Sequence, residues 1–507
     1  MQNFIDTDFL LTGSIARQLD HETAEDLPLF DYHSHLNAEA IALNSQFENL
    51  THLQPAHARA FAYSHSAGIH GQPNRQNHQF RKDHRPPSFP VLSCSVSCIT
   101  VAFVLSCKNL QASRKGKSMG KVFLKPEKEK RVFSGHPWIF LSDIAISDRD
   151  CQPGDVVSIY TRQGRFLACG VYNPKSQIAL RILTTQDEPV DRAFIKRRVK
   201  RAVDYRRKFA DIHSCRLIHA EADGMPGIVA DSFGPVLALQ CVSLGMERFQ
   251  QDIVEALVEE VTPQGVYERN DVPVRRLEGL EQKTGLLYGT VPDRVEMLEN
   301  GIHFLVDVRQ GQKTGYYLDQ KENRAAMAPF CPKAKVLDCF SHTGSFALHA
   351  AHYGAGSVVA VDISENACAD ARENASLNGM TNVQVQTANV FDLLSTQAQA
   401  GERFDLIILD PPAFAKTRDN VAAATKGYKE INLRAMKMLN DGGYLVTCSC
   451  SQHILGAMFK DIVLQAAIDA RVNLMQVDFR SQGRDHPILP SSIETQYLKC
   501  GIYRVDR

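Results

Sequence analysis

From about residue 334 onward, short apolar runs alternate with amphipathic ones. "AKVLDCF" reads as a buried strand, "GSFALHAAHYG" as a helix, "SVVAVDI" as a strand and "SENACADARENASLNG" as a helix. The strands "VQVQTAN" and "FDLIILD", a helix around Lys429–Leu439 and the strand "GGYLVTCSC" complete the series. Apolar strands separated by helical stretches predict an α/β fold with a Rossmann-like doubly wound sheet. Ligands of such sheets bind outside the carboxyl ends of the strands, so the residues just past each strand are the candidates for chemistry.

Upstream the pattern differs. From Met119, β-rich runs such as "RVFSGHPWIF" and "GDVVSIYTRQGRFLACGVY" are punctuated by turn residues and predict a small β-barrel over residues 119–190. A basic helix, Lys196–Phe209, opens an α+β segment over residues 191–310, which includes a helix at Glu247–Val261. Residues 311–507 form the doubly wound domain. The first 118 residues show no such order. Residues 51–118 are rich in His, Gln, Asn, Arg and Pro, cannot bury enough apolar surface to offset chain entropy, and are expected to be disordered or a linker. Met119 reads as a natural start.

At 507 residues the chain should hold several domains, and 44% hydrophobic with 22% charged residues is the composition of a soluble globular protein. The zero net charge conceals two basic stretches, Lys108–Arg131 and Lys196–Lys208, of a kind that contacts phosphate or forms a solvated helix face. Thirteen cysteines without paired spacing, and no secretory leader, point to a reducing cytoplasm. The uncharged run Phe89–Cys107 has the length of a membrane span, but its repeated serines argue against one.

The candidate chemistry lies at the strand ends. Asp338 ends one strand, Gly344 stands near the start of the next helix, and Asp362 ends the second strand, where a carboxylate can take both ribose hydroxyls of a nucleoside. "SHTGSF" has one glycine where a dinucleotide site would want three, so a nucleoside without pyrophosphate, such as S-adenosyl-L-methionine, fits better. Asn389 follows the third strand, at the position of an adenine contact. "LDPPAF" ends the next: its two prolines stiffen the backbone and hold Asp410 and the carbonyls where a planar base could lie, with Phe414 available for stacking. "LVTCSCSQH" then supplies a thiol. Cytosine C5 becomes nucleophilic only after a thiolate adds to C6, so a cysteine here is a candidate nucleophile. Cys448 and Cys450 are two residues apart and share a face of a regular strand, so spacing does not choose between them.

Residues 120–507 closely resemble the RlmI-type large-subunit ribosomal RNA cytosine-C5 methyltransferases. "HPWIF" and "GVYNPKSQIALRIL" are similar to that family's RNA-binding PUA domain, and "EADGMPGIVADSFG" and "YERNDVPVRRLEGL" to its middle domain. "GQKTGYYLDQKENR", "DCFSHTGSF", "DPPAF", "GYKEINLRAM" and "SCS" are similar to its catalytic domain. The resemblance implies Cys450 as the catalytic cysteine. It also implies Lys313, Tyr317 and Gln320 as contacts to methionine or substrate. Pro412 occupies the place where many RNA cytosine methyltransferases carry a second cysteine, so the group assisting product release is unassigned. The first 50 residues resemble uronate isomerases: His33 and His35 match the H-x-H metal ligands, with Ser34 between them. The rest of that barrel is missing, and two histidines fall short of the three protein ligands of a catalytic metal. No metal is therefore expected.

Together these readings predict an S-adenosylmethionine-dependent enzyme forming 5-methylcytidine in 23S rRNA, free or in assembly intermediates, because the target base must be unstacked to react. Cys450 and Asp410 are the catalytic pair. Asp338, Gly344, Asp362, Asn389, Asp410 and Gln320 form the cofactor site. The protein is expected to be cytoplasmic with no membrane partner, its oligomeric state open. The competing readings are methylation of a base nitrogen and a non-catalytic RNA-binding assembly factor.

Overall fold

The computed structural model describes residues 119–507. The isomerase-like opening with His33 and His35, the linker over 51–118 and the apolar run Phe89–Cys107 lie outside the described residues.

Three sheets follow in chain order, with a short hairpin between the second and third. The first contains β1 (Gly120–Leu124), β2 (Trp138–Ile139), β3 (Ile144–Ser147), β4 (Val156–Tyr160), β5 (Phe166–Tyr172) and β6 (Leu180–Thr184). Its order is β2-β6-β5-β4-β1-β3, with β1 and β4 parallel and the other pairs antiparallel. The six strands curl around a core of Val122, Leu124, Val157, Ile159 and Leu180, in keeping with the small barrel the sequence predicts, and among the described residues no ladder joins β2 to β3.

Helix α1 (Arg192–Arg206) follows. It begins at Arg192 rather than at Lys196 because Asp191 caps it, its carboxylate accepting the Phe194 N–H at 2.9 Å. The next strands, β7 (Arg216–His219), β8 (Ile228–Phe233), β9 (Val236–Cys241), β10 (Gly265–Asn270) and β11 (Lys283–Gly289), form a sheet of order β11-β10-β9-β8-β7. Helix α2 is Gln250–Val261. The helix expected over Glu247–Val261 is interrupted, because Leu244–Glu247 forms a separate short turn before Phe249. Acids of α2 face α1: Arg192 meets Asp252 and Glu255, Lys196 meets Glu259, and Lys200 and Arg207 meet Glu260. Much of the basic run is therefore neutralised within the fold. A hairpin of β12 (Val295–Glu299) and β13 (Ile302–Val306) leads to the last sheet.

That sheet holds β14 (Lys335–Cys339), β15 (Ser357–Asp362), β16 (Val383–Thr387), β17 (Phe404–Leu409), β18 (Leu439–Ser449), β19 (Asn473–Arg480) and β20 (Lys499–Asp506). The helices are α3 (Ser345–His352), α4 (Glu365–Leu377), α5 (Val390–Gln399), α6 (Val421–Met438) and α7 (Gly456–Ala470). The order is β16-β15-β14-β17-β18-β20-β19, parallel up to β18, with β20 antiparallel to both neighbours. This is the doubly wound sheet the apolar pattern predicts. That pattern did not identify α5, which a crossover between the parallel strands β16 and β17 requires. Alternate strand residues enter opposite cores: Val336, Ile408 and Val446 pack into one, Leu337, Ile407 and Leu445 into the other. Strands buried on both faces are uniformly apolar for this reason.

Candidate active site

The strand order reverses between β15-β14 and β17-β18; Asp338, Gly344, Asp362, Asp410 and Cys450 lie at or just past the carboxyl ends of these four strands, Asn389 follows β16, and Gln320 comes from the segment before β14. The loop after β14 is bent sharply. Phe340 and His342 have positive φ (63° and 50°), as does Gly344 (81°). A Cβ on Gly344 would come within 2.8 Å of Leu348 and 3.1 Å of Ala371, so only glycine lets α3 start this close to α4.

Asp338 is fully buried, and its carboxylate accepts the Ala347 N–H of the first turn of α3 at 2.9 Å. Burial, then the charges of Asp410 and Asp362, push its pKa well above the carboxylate range. Its other oxygen, with the Ser341 and Thr343 hydroxyls, forms a set of buried oxygens that have no protein partner. Such atoms are costly unless a ligand satisfies them. Asp362 ends β15 and accepts two backbone N–H groups, from His342 and Ser364, both at 2.9 Å. Its carboxylate is thereby fixed, with lone pairs left over. Asn389 caps α5 by accepting the Phe391 N–H, and its own amide N–H groups stay available.

Across the reversal, Asp410 follows β17. Gln320 donates to it at 3.0 Å, and the carbonyl of Gln320 accepts from Asn323 at 2.6 Å, which in turn accepts from Arg480 at 3.1 Å. The side chain predicted as a cofactor contact thus holds the Asp410 carboxyl. Burial first, then the neighbouring Asp319 charge, push Asp410 up to about 7.

The two cysteines part company. Strand β18 ends at Ser449. Cys448 is fully buried, opposite Cys500 of β20, and belongs to the core with Val446 and Ile502. Cys450 lies just past the strand, partly exposed, its thiol 3.9 Å from the Pro411 carbonyl. Burial and then the Asp410 charge raise the Cys450 thiol to about 11, while Lys313 and Lys499 act against the rise. Lys313 pairs with Asp319 at 3.3 Å and lies over the Tyr317 ring. Tyr317 packs edge-on against His342, bridging the two halves of the site, and burial raises its hydroxyl. Phe414 packs against Tyr428 within an aromatic cluster that includes Phe340 and Phe391.

Lys499 and Asp319 escaped the sequence reading. Lys499 is 4% exposed, and its ammonium donates to the carbonyls of Ser451 (2.6 Å) and Tyr497 (2.8 Å). Burial lowers it to about 8, and the Cys450 charge opposes that fall. Its one sequence signal is a lysine inside the apolar strand "LKCGIYRV". Asp319 is held by Tyr497 at 2.7 Å and Lys313, which keep it well below the usual carboxylate range despite burial.

Comparison with known proteins agrees with this geometry. Residues 122–185 match the family model of the PUA-like domain, and residues 280–490 that of S-adenosylmethionine-dependent methyltransferases. Residues 1–59 match the glucuronate isomerase model. The chain is 41% identical over 391 residues to a ribosomal RNA large subunit methyltransferase I of Aeromonas salmonicida, covering 76% of this chain and 98% of that protein. It is also 41% identical over 393 residues to the Shewanella frigidimarina protein of the same name, covering 76% and 99%. Among solved structures, one from Streptococcus mutans assigned to the SAM-dependent methyltransferases has a TM-score of 0.65 at 21% identity, covering 76% of this chain and all of that one. Another, a methyltransferase complexed with SAH, has a TM-score of 0.66 at 22% identity, with the same coverage. These two share the fold.

Proposed function

The chain belongs to the ribosomal RNA large subunit methyltransferase I family of S-adenosylmethionine-dependent enzymes, and from that premise we propose that it forms 5-methylcytidine in 23S rRNA with Cys450 as nucleophile. The observation that carries this reading is the placement of a partly exposed thiol, Cys450, beside the Pro411 carbonyl and the Asp410 carboxyl. Methylation of a base nitrogen needs no such thiol.

The residues present fit the cofactor. The unpartnered buried oxygens of Asp338, Ser341 and Thr343 suit a cationic, hydrogen-bond-donating ligand, and the Gly344 turn lets backbone approach it. Asp362 would take the ribose hydroxyls and Asn389 the adenine. Bound there, S-adenosylmethionine supplies an electrophilic methyl group. Cys450 loses its proton and adds through Sγ to C6 of the cytosine, which makes C5 nucleophilic. Asp410, with a pKa near neutrality, holds a proton that it can share with the ring nitrogen as charge builds there. After C5 is methylated, water takes the C5 hydrogen as a proton, the electrons of that bond re-form the C5–C6 double bond, and Sγ leaves C6 as a thiolate that takes up a proton in place of the one Cys450 gave to water at the start. Pro412 offers no acid or base for that last step.

The base must leave its stack to reach this site, which favours free rRNA or an assembly intermediate as substrate. No helix among the described residues is long and apolar enough to cross a membrane, and a cytoplasmic setting suits an rRNA substrate and a free thiol nucleophile. The test is transfer of isotopically labelled methyl to unmodified 23S rRNA, followed by nuclease digestion and mass spectrometry. The expected product is 5-methylcytidine, with activity lost in Cys450→Ala. A methyl on nitrogen, or a fully active Cys450→Ala protein, overturns the reading.

A further inference from the structure

Helix α1 has a second face that α2 does not neutralise. Arg197, Arg198 and Arg201 line a cavity of about 560 Å³, bordered on its other side by the end of β6 and the segment after it, including Thr184, Gln186 and Glu188. Glu188 is the carboxylate lining this cavity, and it is already engaged: it accepts from Arg197 at 2.8 Å and from the Thr184 hydroxyl at 3.0 Å. Among the described residues Arg198 has no ion-pair partner. It donates to the Leu183 carbonyl at 2.8 Å and lies over the Phe194 ring at 4.9 Å, half-buried. Burial first, then the charge of Arg201, lower its pKa; the Glu188 charge acts against the fall and Arg197 adds to it. Arg201 makes no ion pair among the described residues. Gly224 makes room for this arrangement: it has φ +66°, and a Cβ there would come within 2.9 Å of the Arg198 guanidinium.

Two unneutralised guanidinium groups beside hydroxyl and amide side chains form a receptor for a phosphate, which planar N–H forks bind well. The same helix reaches the catalytic domain. Near its other end Tyr205 donates to the Arg484 carbonyl at 3.2 Å and Arg206 to the Asp485 carbonyl at 2.7 Å, while the Gly483 N–H is bonded to the Asp319 carbonyl at 2.9 Å. Arg198 and Arg206 are eight residues apart, about 12 Å along a helix. The helix thus sets a fixed spacing between the cavity and the segment that carries Asp319.

We propose that this cavity is a subsite for a backbone phosphate of the substrate RNA, bound by Arg198 and Arg201 on a strand segment flanking the target base. The proposal rests on the reading of the protein as an rRNA methyltransferase. The experiment uses the full chain and the double variant Arg198→Gln/Arg201→Gln, with thermal unfolding to verify that both fold alike. Binding to unmodified 23S rRNA is measured from 50 to 200 mM salt. The variant is expected to bind about tenfold more weakly, with the slope of log affinity against log salt shallower by about 0.7 for each lost phosphate contact to a single strand. KM for RNA rises in parallel, while kcat at saturating RNA and affinity for S-adenosylmethionine stay unchanged. Equal affinity and equal salt slope in a folded variant would sink the subsite. So would inorganic phosphate binding lost in the variant while RNA binding is unchanged, since the cavity would then serve a free anion. A wild-type protein that binds rRNA but transfers no methyl to it counts against the proposed function. A variant that binds and methylates like the wild type counts against the subsite alone.

Discussion

The two halves of the site use the same kinds of group to opposite ends. At the end of β15, the Asp362 carboxylate accepts two backbone N–H groups, one from the loop after β14 and one from the loop after β15. At the end of β17, Asp410 has one side-chain bond, from the neutral Gln320, and shares its surroundings with Asp319 and the Cys450 thiol. Backbone N–H groups fix the orientation of a carboxylate; burial among other acids makes Asp410 hold a proton. The first half is thus a preset receptor. The second is a titrating pair, with Asp410 near 7 and Cys450 near 11.

Substitutions can pull the halves apart. The largest effect is expected from Asp410→Asn, which should slow methyl transfer by roughly 10²–10⁴-fold. The same change removes a negative charge that raises the Cys450 thiol, so iodoacetamide should alkylate Cys450 faster than in wild type at pH 8. Slower alkylation would mean that Asp410 does not act on the thiol. Asp362→Ala should weaken binding of S-adenosylmethionine by about 10–100-fold, from the loss of charge-assisted hydrogen bonds worth about 1.5–3 kcal/mol, while leaving the alkylation profile of Cys450 in place. Calorimetry and alkylation on one sample would show whether the halves separate in this way.

Lys499→Met should slow alkylation of Cys450 several-fold below pH 8. There the wild-type ammonium is charged and favours the thiolate; above about pH 8 it loses its proton, and the two profiles should converge. Lys499→Arg, which keeps a cation, should stay nearer to wild type. A constant offset at every pH would assign Lys499 to holding the Ser451 and Tyr497 carbonyls alone. The smallest effect on catalysis is expected from Cys448→Ala, a core truncation costing on the order of 1 kcal/mol of stability, seen as a lower thermal midpoint with methyl transfer retained.

Much of this was legible in the sequence, for definite reasons. Strands buried on both faces must be apolar throughout, so β14, β15, β17 and β18 stand out. Asp338, Asp362 and Asp410 interrupt or end such runs and draw attention as polar groups at strand ends. Helix α5 was missed because "VFDLLSTQAQA" is short and amphipathic, although its cap, Asn389, had been noticed for another reason. The barrel expected from the first six strands is present as a curled sheet, and strand number and turn spacing did not reveal that β2 and β3 form no ladder with each other. Gln320, expected as a cofactor contact, also holds Asp410, a contact between residues 90 positions apart that the sequence does not reveal.

The sequence by itself determined the order of elements, the sharp Gly344 turn and the set of polar groups at the strand ends, because these follow from local backbone and burial rules. It left Cys448 and Cys450 equivalent by spacing, and it left the charges of α1 looking uniform. The tertiary structure separates them by burial and by partners. Strand β20 seals Cys448 into the core, and β18 stops one residue before Cys450. Helix α2 neutralises one face of α1, while Arg198 and Arg201 form no ion pair among the described residues. A side chain's charge and reactivity depend on its solvation and on its neighbours in space, and those neighbours come from distant parts of the chain.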